Sequence, residues 1–169
     1  ALACGSDDFD GSVAALCELW ENVHADQVYR ADALGIIGTG ARWLTLLSIG
    51  WVIARWHRAG PRSLLDNSPL GGLLSHRVRL ERLPAMLEQG HLRARAITTS
   101  SYGSGLHVTF YEASGEAVPW TRSQRIAVRE RIGVRHLLAS SAIPFVFPAV
   151  ALELHGHREY FGDGTMRQS

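Results

Sequence analysis

Residues 94–113 read ARAITTSSYGSGLHVTFYEA. On both sides of Tyr102-Gly103-Ser104-Gly105 the residues alternate between two characters and are rich in β-branched and aromatic types. Period two is the repeat of a strand, whose successive side chains point to opposite faces. Two such runs around a glycine-bearing tip predict a β-hairpin. The flanking sequence keeps a helical period instead, so the chain mixes helices with strands and its fold class is α/β.

Upstream, residues 9–30 carry Val13, Leu16, Leu19, Trp20 and Val23 at helical spacing, with Asp10 and Ser12 as cap candidates. One amphipathic helix over the whole stretch is predicted. Residues 35–41, GIIGTGA, read as a glycine-rich turn. A dinucleotide fingerprint would need glycine where Trp43 stands, and no G-K-[ST] follows Gly40. Ser68 before Pro69 is an N-cap and first-turn pair for a short helix bearing Leu70, Leu73 and Leu74. A further helix is predicted over about 80–89, around Leu80, Leu83 and Leu87.

Downstream, residues 123–140 return to helical spacing. A helix over about 122–138 would put Arg122, Arg125 and Arg129 on one basic face, either solvated or turned to anionic head groups. After Pro144 and Pro148 come a strand at VALEL (150–154), a turn at His155-Gly156-His157 and a strand through Glu159-Tyr160-Phe161.

The 169 residues suit a single domain with a real core. A net charge of +1 predicts no general affinity for nucleic acid. The chain has no Lys; every basic side chain apart from histidine is Arg, from GC-rich bacterial coding or for bidentate phosphate contacts. Cys4 and Cys17 fit neither a disulfide framework nor a zinc pattern. ALACGSDDFDG is acidic and glycine-broken, unlike a secretory leader, so a cytoplasmic or membrane-associated location is expected. The most apolar run, residues 43–56, is too short to span a bilayer. It reads as a buried helix, as a helix pair meeting at Gly50, or as a flap over acyl chains.

No serine stands in a G-x-S-x-G elbow; Ser104 comes nearest, but Tyr102 and Leu106 occupy the outer positions. Asp163-Gly164-Thr165 matches the end of an aspartyl-phosphate D-x-D-G-T motif, yet Phe161 stands where its nucleophilic carboxylate is needed. His155, His157 and Glu159 read better as a solvated hairpin tip than as metal ligands. Asp163, between Gly162 and Gly164 after a short apolar strand, is either a turn former or a rigidly aimed catalytic carboxylate.

Three stretches together favour the second. SLLDNSPLGGLL (63–74), AITTSSYGSGLHVTFYE (96–112), and LLASSAIPFVFPAV (137–150) with REYFGDGTMRQS (158–169) resemble the bacterial patatin-like phospholipase family. The resemblance implies a three-layer α/β/α sandwich, with residues 1–169 a single catalytic domain incomplete at both ends. It implies a serine lipid acyl hydrolase of phospholipase A or lipase/esterase type, using a Ser–Asp dyad without cofactor or metal. Asp163 would be the base and Gly162 and Gly164 its motif glycines; the serine and the oxyanion loop would precede Ala1. Residues 1–169 alone would then be inactive. The substrate would be a phospholipid or fatty acyl ester, its chain against Trp43, Leu47, Trp51, Phe145 and Phe147, with membrane-surface contact a further expectation. The family more often has D-G-G or D-G-A, whereas Thr165 follows here. The alternatives are an inactive lipid- or membrane-binding module of the same fold, or a turn-forming Asp in an unrelated α/β domain.

Overall fold

The computed structural model describes residues 1–30, 37, 38, 41, 44, 63 and 65–167. Its centre is the hairpin read at 94–113. Strands β1 (Ala94–Ser101) and β2 (His107–Ala113) pair antiparallel, from Ala94 opposite Ala113 to Ser100 opposite His107. Around them β3 (Thr121–Arg122), β4 (Arg125–Arg129), β5 (Val150–Leu154) and β6 (His157–Asp163) complete a six-stranded sheet in the order β3-β4-β2-β1-β6-β5. The β2–β4 pair is parallel and the other four are antiparallel. The fold is mixed α/β with a mixed sheet.

One sheet face holds the core. Val108 and Phe110 of β2, Ile126 of β4, Leu152 and Leu154 of β5 and Phe161 of β6 are buried together with Ala139. The Phe110 ring meets the edges of Phe161 and His136 at centroid distances of 5.8 and 4.7 Å. Helix α5 (Val134–Ser140), which carries His136 and Ala139, lies against β1, β5 and β6. Each fully buried side chain of this size contributes roughly 1.5–3 kcal/mol relative to exposure.

The helix expected over 122–138 is not formed. Its first half is β3 and β4, joined by a tight turn with Gln124 at φ 58°, and only Val134–Ser140 is helical. Ile126 and Val128 are β-branched, and β2 offers β4 five partners from His107 to Tyr111. That non-local pairing overrides a spacing that fitted either element. The three arginines still share a face, but of a sheet: Arg122 pairs with Arg125, and Arg129 lies four residues along β4.

Helix α1 spans Phe9–Asn22 and stops short of the expected residue 30; extended Val23 (ψ 123°) and His24 lead to one further turn, α2 (Ala25–Val28). Its cap is Asp8, not Asp10 or Ser12: the Asp8 carboxylate accepts from the Gly11 N–H at 3.1 Å. Ser12 Oγ instead donates to the Gly5 carbonyl at 2.9 Å. Helix α3 (Ser68–Arg77) starts with Ser68 already inside it, after Asn67, and Pro69 in its first turn. Asp66 accepts from the Ser68 N–H and hydroxyl at 2.9 and 2.7 Å, which holds its carboxyl below the usual range. A 3-10 turn (Leu80–Arg82) leads into α4 (Leu83–Glu88), which buries Leu83, Met86 and Leu87.

Of the stretch 35–41, Ile37, Gly38 and Ala41 are described, and they are helical where a turn was expected. Within the apolar run 43–56 only Leu44 is described, so Trp43, Leu47 and Trp51 lie outside the described residues. The chain on either side is anchored: Arg30 and Asp66 form an antiparallel bridge, with Arg30 N–H donating to the Asp66 carbonyl at 2.9 Å.

Candidate active site

Asp163 is the last residue of β6, half-buried, opposite Thr99 of β1. Two hydrogen bonds fix it. Its N–H donates to the Ala142 carbonyl at 3.0 Å, and one carboxylate oxygen, Oδ1, accepts from the Thr165 N–H at 2.9 Å. The second is an Asx-type turn, the geometry expected of a turn-forming Asp. No hydrogen bond from a described residue reaches Oδ2.

Both flanking glycines are demanded by close approach. A Cβ on Gly164 would lie 2.6 Å from the Thr98 carbonyl oxygen and 3.0 Å from its Cγ2. The Thr98 backbone of β1 passes too close for any side chain there. A Cβ on Gly162 would collide with the Tyr102 hydroxyl and lie 2.6 Å from the ring carbon bearing it.

Tyr102 is the site residue that sequence reading missed. It stands at the tip of the β1–β2 hairpin, and three contacts clasp that tip to β6. Its N–H donates to the Tyr160 carbonyl at 2.9 Å. The Ser101 hydroxyl makes a short hydrogen bond to Glu159 Oε2, and Ser104 Oγ lies 3.1 Å from the same oxygen. The phenol thus rests on Gly162, one residue from Asp163. Burial and then the Asp163 charge push its ionisation up, so it stays a neutral donor. The only legible signal was S-Y-G-S-G, whose glycines hold the tip open.

The segment supplying the Ala142 carbonyl is the ASSAIPFVFP stretch. Phe147 N–H donates to the Ile143 carbonyl at 2.9 Å, and Phe145 sits at φ 67°, 66% exposed. A left-handed aromatic is rare and costs of order 1–3 kcal/mol. Phe145 is thus at the surface, while half-buried Phe147 packs its ring 6.4 Å from Tyr29. Leu65 N–H donates to the Val146 carbonyl at 2.9 Å, so the chain flanking residues 31–64 is tied to this loop.

On the sheet face opposite the core, a row crosses four strands: Gly162, Ser100, His107 and Arg125. Ser100 and His107 are both 7% exposed, and neither Ser100 Oγ nor His107 Nδ1 finds a hydrogen-bond partner among the described residues. Burial first and the Arg125 charge second hold His107 below its usual range, so it is neutral at pH 7. His157 and Glu159 belong to β6 and His155, at φ 51°, to the β5–β6 turn. Glu159 is engaged by Ser101 and Ser104. An open hollow of about 590 Å³ lies between α4, the end of β2 and Arg129–Arg131, and a smaller one of about 170 Å³ beside α1. Neither has Asp163 in its walls; the carboxylate earns attention by its fixation, not by a cavity.

No protein-family model, no characterised protein and no solved structure matches this chain.

Proposed function

We propose that this chain is part of a patatin-like serine acyl hydrolase, of phospholipase A or lipase/esterase type, acting on a phospholipid or fatty acyl ester through a Ser–Asp dyad. In this reading the mixed sheet is the middle layer of a three-layer α/β/α sandwich. The nucleophilic serine comes from sequence preceding Ala1, and Asp163 is its base.

The single observation that carries the reading is the bond between the two motifs: the ASSAIP stretch holds the Asp163 backbone through Ala142, at 3.0 Å. With Oδ1 committed to Thr165, Oδ2 is aimed by a backbone that Gly162 and Gly164 let run between Tyr102 and Thr98. A carboxylate held this way needs no reorientation to take a proton from a serine hydroxyl. The serine oxygen then attacks the ester carbonyl, the alcohol departs with the proton, and Asp163 next activates the water that cleaves the acyl-enzyme.

The test is hydrolysis of a chromogenic fatty acyl ester by the protein carrying this chain with its upstream sequence. Asp163→Asn is expected to lower kcat/KM by about a thousandfold or more. Its melting temperature should stay within a few degrees, because the Thr165 bond can form to either side chain. Full activity in that variant overturns the reading.

A further inference from the structure

We propose that the β3–β4 edge of the sheet is a docking surface for an anionic lipid bilayer. Arg122 stands directly opposite Arg125, and Arg129 lies on the same face of β4; all three are exposed. The segment leading into β3 adds apolar surface, with Val118 78% and Trp120 40% exposed. Trp120 is held in place: its carbonyl accepts from the Ala127 N–H at 2.8 Å, and the Arg122 guanidinium lies 5.5 Å from its ring centroid. Arginine stacked on an exposed indole suits the head-group zone, where one end of a contact is wet and the other apolar.

Charge and spacing choose the occupant. The ion pairs among the described residues, Arg82–Asp7 and His136–Glu130, involve none of these arginines. Arg129 gives one N–H to the Ala113 carbonyl at 2.9 Å, which leaves the rest of its fork for a phosphate. Arg125 and Arg129 are about 13 Å apart along the strand, too far for one small anion and suited to neighbouring head groups in a sheet of lipid. Nucleic acid would supply phosphates too, but it gives Val118 nothing apolar to meet, and the chain's net charge is only +1. The same row leads through His107 and Ser100 to Gly162, about 14 Å away across three strand spacings. The inference stands whether or not Asp163 is a catalytic base.

The experiment is co-sedimentation of the chain with phosphatidylcholine vesicles, with and without phosphatidylserine, at low and high salt. Binding is expected only with phosphatidylserine and should weaken as salt rises. Arg122→Gln, Arg125→Gln and Arg129→Gln should each lower the partition coefficient about fivefold, and the triple variant about a hundredfold. Trp120→Ala should weaken binding without changing its salt dependence, and Arg→Lys at the three positions should restore most of it. The three are surface residues, and an unchanged melting temperature checks the fold. Equal binding of wild type and triple variant to anionic vesicles overturns the proposal. So does arginine-dependent binding to inorganic phosphate or duplex DNA that exceeds binding to vesicles.

Discussion

The two sides of this sheet are built on different principles. At β6, local constraints over-determine the chain: two glycines with neighbours too close for a Cβ, an Asx-type turn, the Ala142 bond and the hairpin clasp all fix the same few atoms. At β3–β4, the local sequence suits helix or strand equally, and pairing with β2 decides. The β6 side presents a rigid carboxylate, while the far side presents three arginines and a tryptophan held chiefly through the backbone beneath them. Chemistry needs the first kind of construction; adaptable surface contact is served by the second.

Substitutions can break that contrast. The largest loss of stability is expected at Ile126, which is 8% exposed within the core cluster. Ile126→Ala should cost about 2–4 kcal/mol in denaturant unfolding. A cost under about 0.5 kcal/mol would mean an exposed position, as on a solvated helix, and would remove β4 from the sheet. Next comes Gly164→Ala, where the obstacle is the Thr98 backbone and cannot rotate away. It should cost about 1–3 kcal/mol. Gly162→Ala should cost less, since the Tyr102 ring can swing aside and the Ala142 carbonyl oxygen, 3.1 Å from the added Cβ, needs only a small shift; Tyr102→Phe should recover part of that loss by removing the clashing hydroxyl. If the two glycine variants were equally stable, the Tyr102 ring would be held as firmly against Gly162 as the Thr98 backbone is against Gly164.

The smallest effect is a pH dependence from the core beneath both regions. His136 is 6% exposed; its Nδ1 accepts from the Gly133 N–H at 3.0 Å, so Nε2 carries the proton. Glu130 Oε1 stands 3.6 Å from Nε2, too long for a hydrogen bond. Burial, and then the Arg95 and Arg135 charges, lower the His136 ionisation, while burial and Glu153 raise Glu130. At pH 7 the contact is therefore a neutral histidine near a carboxyl group rather than an ion pair. Because the folded histidine binds its proton less readily than the unfolded one, stability should fall as pH drops below the unfolded value of about 6.5. Below the folded value it should level off. His136→Leu should flatten that part of the stability curve measured by thermal melts between neutral and mildly acid pH; an unchanged slope would assign it to other groups.

How much was readable follows the same divide. The 94–113 hairpin, the β5–β6 hairpin with its His155-Gly156 turn, and the Asp163 turn were legible because period-two patterns, glycines and an Asx residue act over a few positions. The Arg125–Arg129 strand was not, because its partner, β2, lies a dozen or more residues earlier and helical spacing matched by coincidence. Asp8 capped α1 although Asp10 and Ser12 were nearer the apolar face, since Asp and Ser cap about equally well. Tyr102 escaped because its role arises only when Ser101 and Ser104 close the clasp on Glu159, which is far away in sequence.

The most direct test of the central claim is covalent labelling by a fluorophosphonate, read by intact mass on the protein with its upstream sequence. A single adduct on wild type that is lost or slowed about a thousandfold in Asp163→Asn is the predicted result, because only an activated serine reacts quickly. Equal labelling of both would contradict it, leaving Asp163 as a turn residue and the nucleophile, if any, activated by another group.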